Sequence, residues 1–351
     1  MIILDNIIFS LQKSGGISVV WQKLLQNIVS NSTVNFKCLE YPKSDENIFR
    51  KNLIIPRDKI SQHSGPAIIK RYFSPILDIS EPSIFHSSAY RIYKHPMIKN
   101  VTTVHDFTYE VAVTGVKLAV HKWRKYRAIY GSDIIICISK NTANDLIKYC
   151  PEVDKRKIRI IYNGVSETYT PEEDRDDRLK DCILFVGARD SYKNFQFTAE
   201  ALAATNYKLL ICGAPINEKE QIFLDSILGR DRYKYLGRVS NEELNHLYNS
   251  VHCLAYPSSY EGFGIPVLEA QRAKCPVIAL AASSIPEVMG PKDFLIQTLS
   301  INEFQNRLKE LENPKVRKDL VEEGYDFSQK FSWDKMASEY VGIYDELLRG
   351  I

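Results

Sequence analysis

The sequence contains no apolar run approaching the roughly 18 to 20 residues that a membrane-spanning helix requires, so no transmembrane segment is expected. Its first residues, MIILDNIIFS, have neither a basic stretch nor a small-residue cleavage site, and a secretory signal is not expected. The seven cysteines are odd in number and show no C-x-x-C spacing, which argues against a zinc site and a disulfide framework. We therefore expect a soluble, cytoplasmic protein with reduced thiols.

What the chain does have is an ordinary globular composition. Its 351 residues are 44% hydrophobic and 25% charged, with 16 glycines and 15 prolines, which excludes collagen-like, low-complexity and disordered proteins. Because this length exceeds what one hydrophobic core usually covers, two domains are expected. Residues 1–165 are net basic and residues 166–351 net acidic. This asymmetry indicates either two domains with different partners or a preference for solvated lysine in the first half.

Short apolar strands alternate with helix-length amphipathic segments in both halves of the chain. The first series begins at MIILD, and the second restarts at CILFVGA, after the acidic stretch TPEEDRDDRLKD at residues 170–181. Such alternation is typical of parallel sheets covered by helices on both faces. We predict an α/β fold of two Rossmann-like, doubly wound domains joined near residues 165–181. In such sheets ligands bind beyond the carboxyl ends of the strands, and the ends of two domains can face each other across a cleft.

Two loops that follow predicted strands have the residue types of anion sites. Gly15-Gly16 opens a helix, where backbone N–H groups can approach a phosphate, although many glycine pairs only form a turn. This loop lacks the full G-x-G-x-x-G spacing, so a dinucleotide site is not supported. Arg189 and Lys193 bracket a short turn after CILFV and could hold a diphosphate, or they could be solvated surface charges.

The third loop, SSYEGFGIPVLEA (258–270), gives the strongest signal. Glycines bracket the loop after the strand VHCLAYP, and Pro266 stands where a first helical turn would start. We place the carboxylates of Glu261 and Glu269 on the order of 10 Å apart, which is wider than the ~5 Å pair of a retaining glycosidase. That spacing fits two hydroxyl-bearing groups with a phosphate bridge between them, facing the helix N–H groups.

This segment, SYEGFGIPVLEA, resembles the two-glutamate motif of the retaining glycosyltransferases of family 4, which have the GT-B fold. The resemblance continues in order through Gly15-Gly16, TTVHDFTYE, CISKNTANDL, IYNGV, FVGARDSYKN, LGRVSNEEL, SIPEV and FSWDKMASEYVGIYDELL. It implies an acceptor-side domain at residues 1–168, a donor-side domain at 169–331, and a last helix at 332–351 that crosses back to the first domain. So many ordered segments are specific for the family but not for the substrate.

The resemblance also implies a role for each matching residue. Glu261 would hydrogen-bond hydroxyls of the donor sugar, and Glu269 the ribose of the nucleotide. Arg189 and Lys193 would hold the diphosphate, and His105 would contact the transferred sugar and the phosphate beside it. The other implied donor contacts are Gly15 and Gly16, Gly264 and Ile265 at the start of a helix, Arg238 and Val239 near the base, and Glu287.

No metal ion and no resident cofactor are predicted. Breaking a sugar–phosphate bond develops negative charge on the departing diphosphate, which positioned cations can stabilise. A metal could do so instead, usually held by a D-x-D that follows a strand. The close match, Asp174-Arg175-Asp176, lies in the acidic linker with no apolar strand before it, and is interpreted as solvated charge. The nucleotide-diphosphate sugar is a substrate.

The segment Lys117–Tyr130 combines four further cations and a histidine with Trp123, Tyr126 and Tyr130. Basic aromatic helices can rest on anionic membrane surfaces, which would suit an acceptor carried on a lipid diphosphate. The alternative is a surface helix whose aromatic rings face the core and whose charges face water. Nucleic acid is not expected as a partner, because no binding motif accompanies the charge.

The expected activity is retaining transfer of a hexose-type sugar from a nucleotide sugar to a saccharide or lipid-linked saccharide. The expected setting is bacterial surface polysaccharide assembly, such as lipopolysaccharide O-antigen. Two rivals stay open, a catalytically silent sugar-nucleotide-binding or scaffold protein and a nucleotide-sugar epimerase on the same fold. Retention of His105, Arg189, Lys193, Glu261 and Glu269 argues against the silent protein. The base, the sugar, the acceptor and the linkage do not follow from the sequence.

Overall fold

The structure is a computed structural model that describes residues 1–31 and 34–350. It divides into two compact units, Met1–Gly164 with Trp333–Ile351, and Val165–Ser332. Both are α/β units built on a parallel sheet, which confirms the predicted fold class. Within the described ranges, no helix combines the length and the apolar character that crossing a bilayer would need.

The first unit contains a seven-stranded parallel sheet in the order β3-β2-β1-β4-β5-β6-β7. The strands are β1 (Ile2–Asp5), β2 (Phe36–Glu40), β3 (Ile60–Gln62), β4 (Ser83–Ser87), β5 (Ile98–Val104), β6 (Ile134–Cys137) and β7 (Ile158–Ile160). The helices are α1 (Ile8–Leu11), α2 (Gly16–Ser30), α3 (Ile48–Lys51), α4 (Ala67–Lys70), α5 (Thr108–Ala112), α6 (Val116–Tyr130) and α7 (Lys140–Tyr149).

The second unit contains a six-stranded parallel sheet in the order β10-β9-β8-β11-β12-β13. The strands are β8 (Cys182–Val186), β9 (Lys208–Cys212), β10 (Tyr233–Gly237), β11 (Cys253–Tyr256), β12 (Val277–Leu280) and β13 (Leu295–Ile296). The helices are α8 (Phe195–Ala203), α9 (Glu218–Ile227), α10 (Asn241–Ser250), α11 (Ile265–Arg272), α12 (Ile285–Val288), α13 (Ile301–Glu310) and α14 (Pro314–Ser328), and α15 (Trp333–Arg349) follows in the first unit.

Both sheets reverse direction of winding beside their first strand. β1 lies between β2 and β4, and β8 lies between β9 and β11. At such a switch point the loops that leave the two central strands diverge to opposite faces, which opens a crevice for a ligand. In the second unit the two loops at this switch point are the one after β8 and the one after β11. These are the two loops that the sequence singles out most strongly.

The last helix belongs to the first unit through a buried aromatic cluster. α15 packs on α2, and its Tyr344 hydroxyl lies 2.6 Å from Nδ1 of His86 on β4. Its Tyr340 hydroxyl lies 3.1 Å from the Thr103 hydroxyl on β5, and the same threonine hydroxyl is 3.0 Å from the other nitrogen of His86. Burial lowers the pKa of His86 to about 3, so this histidine is a neutral core residue.

The unit boundaries differ from the predicted 168/169 and 331/332 by one to four residues. The structure divides the chain after Gly164 and after Ser332. The reason is that Val165 pairs with Ser332 in a parallel bridge, and buried Tyr169 packs edge-on against Tyr248 of α10. The acidic composition of residues 170–181 marks the linker in the sequence, but these two contacts draw the preceding residues into the second unit. The final residue of the predicted last helix, at position 351, lies outside the described residues.

Candidate active site

The loops after β8 and β11 are tied together by hydrogen bonds from Asn194 and Ser259. The Asn194 side chain donates to the carbonyl of Pro257 at 2.7 Å, and the Ser259 N–H donates to the carbonyl of Tyr192 at 2.7 Å. Asn194 has a left-handed backbone with φ of 52°, which asparagine tolerates better than most residues. Asn194 was not predicted as a site residue, although an asparagine before a helix is a recognisable turn signal.

This arrangement brings Lys193 and Glu261 together as an ion pair. The Lys193 ammonium donates to the Glu261 carboxylate, and each side chain is only 13% exposed. The ammonium also lies 5.4 Å from the ring centre of Tyr256 and 5.5 Å from that of Tyr192. The sequence predicts a function for each residue but not their contact. A mostly buried cation and carboxylate of this kind can bind a ligand that offers a diphosphate to the ammonium and sugar hydroxyls to the carboxylate.

Two serines hold the Glu261 backbone in place. The Ser283 hydroxyl bonds both the N–H and the carbonyl of Glu261, at 2.9 and 2.5 Å. The Ser284 hydroxyl reaches the carbonyls of Glu261 and Phe263, at 3.0 and 2.9 Å. Ser283 and Ser284 were not selected from the sequence, although Ser284 begins the segment SIPEV. Glu287, an additional predicted contact, lies in α12 two residues after Ile285.

Gly264 and Ile265 form the start of α11, as the sequence predicts for a helix that opens at this loop. Gly264 has φ of 104°, and a Cβ added to it would lie 2.8 Å from Ile285 Cδ1. Both the backbone conformation and the close neighbour therefore require glycine. Pro266 occupies the first turn of the helix, where its missing N–H costs no hydrogen bond. The remaining N–H groups of this turn point out of the helix N-terminus, where the loop that carries Glu261 joins it.

Glu269 lies one turn further along α11, among tyrosines. The Tyr248 hydroxyl donates to Oε2 of Glu269 at 3.2 Å, and the Tyr169 hydroxyl donates to Oδ1 of Asn241 at 3.2 Å. Burial raises the pKa of Glu269 to about 7, and the neighbouring tyrosine hydroxyls oppose that rise. Part of the residue stays exposed, so a ligand hydroxyl can reach it. Tyr248 orients this carboxylate, and it was not selected from the sequence.

Arg189 has a different environment from Lys193. Its guanidinium donates to both carboxylate oxygens of Glu220, at 2.8 and 3.1 Å, and to the carbonyls of Ala214 and Pro215, at 2.9 and 2.7 Å. The side chain is only 4% exposed. These contacts hold the loop after β8 against the loop after β9 and the start of α9. The structure therefore gives Arg189 internal partners, while its predicted contact with a diphosphate stays a prediction.

The loops after β8, β9 and β10 run side by side at the same sheet edge. The Gly187 N–H donates to the carbonyl of Cys212 at 3.0 Å, and the Gly213 N–H to that of Gly237 at 2.9 Å. A Cβ on Gly213 would lie 2.3 Å from the Gly187 carbonyl oxygen, so only glycine permits this approach. Arg238 and Val239 follow β10 directly at this edge. The structure thus places these two predicted base contacts in the same row of loops as Lys193.

In the first unit, His105 follows β5 in a loop that Lys125 holds. The Lys125 ammonium donates to the carbonyl of Asp106 at 2.6 Å and to the Glu110 carboxylate at 3.2 Å, and it lies 3.4 Å from the ring centre of Phe107. Burial lowers the pKa of His105 to about 4, so its imidazole is neutral at pH 7. Both alternatives raised by the sequence place the charges of this segment outward, but Lys125 is buried.

The glycine pair lies at the start of α2 in the same unit. Gly15 precedes the helix and Gly16 is its first residue. A Cβ on Gly15 would lie 2.8 Å from the Gln12 side chain, whereas one on Gly16 would have no neighbour within 4 Å. The space beside the Gly16 backbone is therefore open. Within the ranges that the structure describes, no cluster of histidine, cysteine, aspartate or glutamate has the geometry of a metal site.

The pKa of Glu269 predicts how stability depends on pH. Because that pKa lies above the ordinary 4.5, the folded protein binds the proton more readily than the unfolded chain between about pH 4.5 and 7. The stabilisation that Glu269 contributes in its protonated form is lost as the pH rises through 7. The free energy of unfolding of Glu269→Gln, measured relative to that of the native protein, should therefore be about 1–3 kcal/mol higher at pH 8 than at pH 5.

Urea unfolding of Glu269→Gln and the native protein at the two pH values measures this change. Glu200→Gln, at an exposed glutamate of α8, is the matched control and should show no such pH dependence. If the free energies of unfolding of Glu269→Gln and the native protein differ by the same amount at both pH values, the raised pKa of Glu269 is contradicted.

Two family models match consecutive parts of the chain. The model described as Glycosyltransferase Family 4 matches residues 14–169, and the one described as Glycosyl transferases group 1 matches residues 170–327. An uncharacterized glycosyltransferase of Methanocaldococcus jannaschii is 27% identical over 353 residues, which covers 95% of both chains. An O-antigen chain mannosyltransferase of Salmonella typhimurium is 26% identical over 249 residues, which covers 69% of this chain and 68% of the relative.

Solved structures share the fold. Sucrose-phosphate synthase of Thermosynechococcus elongatus has a TM-score of 0.77 at 17% identity, covering 100% of this chain and 99% of its own. The Anabaena protein HepE, in a structure with UDP and glucose, has a TM-score of 0.72 at 15% identity, covering 97% of this chain and 98% of its own. With two family models spanning residues 14–327 and this fold, the chain belongs to the family 4 type of glycosyltransferases with the GT-B fold.

Proposed function

We propose that this glycosyltransferase moves a hexose from a nucleotide-diphosphate sugar to a saccharide acceptor, with retention of configuration and without a metal ion. The observation that carries the proposal is the ion pair between Lys193 and Glu261 at the start of α11. Donor binding replaces this pair, because the diphosphate takes the ammonium and the sugar hydroxyls take the carboxylate. The Lys193 ammonium and the Glu261 carboxylate therefore both have polar partners, with the donor bound as well as in the free protein.

The remaining residues take the roles that the family 4 resemblance implies. As the bond between sugar and diphosphate breaks, negative charge grows on the diphosphate, where the Lys193 ammonium and the α11 N–H groups stabilise it. Glu269, oriented by Tyr248, accepts hydrogen bonds from the ribose. His105 is neutral and can accept from a sugar hydroxyl or donate to a phosphate oxygen. None of these steps uses a metal.

The comparisons support the class of substrate. HepE was solved with UDP and glucose, which supports a nucleotide-sugar donor here. The Salmonella relative is an O-antigen chain mannosyltransferase, which supports a role in polysaccharide biosynthesis. We infer a saccharide acceptor, free or lipid-linked, in lipopolysaccharide or a related surface polysaccharide. The seven cysteines are all buried free thiols, as suits the reducing cytoplasm, where we place the enzyme.

A donor screen tests the proposal and separates it from its rivals. Thermal shift against UDP, GDP, TDP and ADP identifies the nucleotide, because a ligand that binds the native state raises its melting temperature. The matching nucleotide sugars are then incubated with and without a saccharide acceptor panel. Nucleotide release that requires the acceptor supports a transferase. Isomerised donor without acceptor would indicate an epimerase, and a melting shift without turnover a silent binding protein.

We expect transfer to continue at an unchanged rate in excess EDTA. The reason is that Lys193 and the α11 N–H groups supply the positive charge that a metal would otherwise bring to the diphosphate. Initial rates with chelator, and after adding Mg²⁺ or Mn²⁺ back, measure this. Activity that disappears on chelation and returns with either metal would contradict the metal-independent mechanism while leaving the transferase assignment standing.

We expect the product to keep the anomeric configuration of the donor. The basis is the family 4 resemblance, together with a neutral His105 whose lowered pKa makes it a weak general base. Proton NMR of the product, recorded immediately after transfer, measures the coupling constant of the anomeric proton, which reports the configuration of the new linkage. An inverted linkage would rule out the retaining mechanism.

A further inference from the structure

Helix α6 exposes apolar side chains and buries charged ones. Val116, Val120, Trp123 and Tyr130 are 79%, 39%, 53% and 44% exposed, and their spacing places them along one stripe of the helix. An ordinary surface helix shows the opposite arrangement, with its apolar stripe against the core. The alternative raised by the sequence, in which the aromatic rings face the core, is wrong for Trp123 and Tyr130.

Backbone carbonyls from neighbouring segments explain why the charges point inward. The Arg124 guanidinium donates to the carbonyl of Ala89 at 2.8 Å, and the Arg127 guanidinium to that of Tyr72 at 3.3 Å. Lys125 is buried against the His105 loop, as described above. Arg124 and Lys125 share the buried face of α6 with Ala128 and Ile129, and the apolar stripe lies on the opposite, exposed face. The packing of α6 therefore leaves its apolar stripe exposed.

A second exposed apolar segment adjoins α6. Residues 67–76 carry four exposed large hydrophobic side chains, at Ile68, Ile69, Phe73 and Ile76. The hydrogen bond from Arg127 to the carbonyl of Tyr72 holds this segment beside the helix. We call residues 67–76 and 109–130 together the basic apolar surface. Of the sixteen large hydrophobic side chains that are exposed in the described part of the chain, ten lie on it, which exceeds the scatter of single residues expected on a soluble face.

The charge of this surface decides what can cover it. Besides the inward cations it carries Lys70, Arg71, Lys117 and Lys122. Its one acidic residue, Glu110, has its carboxylate buried against Lys125. A second copy of the chain would oppose cation to cation across a symmetric interface, which is unfavourable. An anionic lipid surface matches both features, since headgroups pair with the cations while the apolar side chains enter the acyl boundary.

We propose that the basic apolar surface docks on an anionic membrane surface. The chain runs from His105 into this surface within four residues, so docking would hold the His105 loop close to the lipid headgroups. That consequence, delivery of a lipid-carried acceptor, rests on the proposed function, whereas the docking itself does not.

Cosedimentation of the full chain with vesicles tests the proposal without donor or acceptor. We expect binding to vesicles of phosphatidylglycerol and phosphatidylcholine, and little binding to phosphatidylcholine alone. Trp123 also reports directly, because Trp21 is buried and Trp333 is partly buried, so a blue shift of emission on anionic vesicles would come from Trp123. Trp123→Ser should reduce vesicle affinity about tenfold, and Lys117→Glu with Lys122→Glu by at least as much.

Matched controls change similar residues elsewhere. Ile222→Ser removes an exposed hydrophobic side chain, and Lys180→Glu with Lys234→Glu reverses exposed charges, all in the second unit. These variants should bind anionic vesicles like the native protein. Equal binding by Trp123→Ser at an unchanged melting temperature, or no binding by the native protein, would overturn the proposal. Self-association that Trp123→Ser abolishes, without vesicle binding, would also overturn it and assign the surface to a second copy. The transferase assignment is unaffected by any of these results.

Discussion

Replacing Lys193 with alanine is expected to slow sugar transfer by roughly two to three orders of magnitude. The reason is that its ammonium is the cation placed to meet the charge that develops on the departing diphosphate, and losing one such preorganised donor typically has that effect. Because Lys193 pairs with Glu261 in the free protein, the variant also leaves this carboxylate without its cation. Initial rates at saturating donor, with the nucleotide sugar identified by the donor screen, measure the effect.

The control for Lys193→Ala is Lys208→Ala, at an exposed lysine that starts β9 at the opposite edge of the same sheet. It should keep the native rate, since it removes equal charge from the same unit. Lys193→Ala with a native melting temperature and an undiminished rate would remove this residue from the mechanism. If Lys193→Ala loses its fold as well as its rate, Lys193→Gln, which largely keeps the length of the side chain, decides the question.

Glu269→Ala and Glu261→Ala are expected to separate nucleotide binding from turnover. Removing Glu269 should weaken free nucleotide diphosphate by about one to two decades, because a hydrogen bond to a charged group contributes roughly 1.5–3 kcal/mol. Removing Glu261 should leave that affinity unchanged or increase it, since the nucleotide lacks the hexose and Lys193 is released to meet the diphosphate. The loss for Glu261→Ala should appear in turnover, where the grip on the reacting sugar matters most.

Calorimetric titration with the free nucleotide, beside rates with intact donor, measures both variants in parallel. Glu200→Ala again serves as the control on an exposed glutamate of the same unit. Equal losses of nucleotide affinity for Glu261→Ala and Glu269→Ala would mean that the two roles are wrongly assigned. Because Ser283 and Ser284 hold Glu261 through its backbone, truncating its side chain should leave the loop in place.

The fold class and the site loops could be predicted from the sequence because their signals are local. Strands such as β8 are continuous apolar runs, as buried parallel strands are, and the loops that follow them carry glycine and proline at positions that constrain the backbone. Gly264 illustrates this. The glycines around Phe263 and the proline that follows predict a helix start, and α11 begins at Ile265, directly after Gly264 with its φ of 104°. The exact limits of the two compact units could not be predicted in this way, because the Val165–Ser332 bridge joins residues far apart in the chain.

Contacts between distant residues were decided only in the tertiary structure. Lys193 and Glu261 are 68 residues apart, and Arg189 and Glu220 are 31 apart, so no local spacing reveals that either pair forms. Arg189 and Lys193 lie four residues apart in one loop, and yet they pair with carboxylates on different elements.

The sequence by itself determined that this chain alternates strands and helices, places glycine loops at their junctions and carries the family 4 motifs. Only the tertiary structure decided which face of α6 is exposed, because the carbonyls that draw Arg124 and Lys125 inward come from Ala89 and Asp106 on other segments. Backbone conformation depends on near neighbours along the chain. Charge pairing and burial depend on neighbours in space, and those exist only once the strands have assembled.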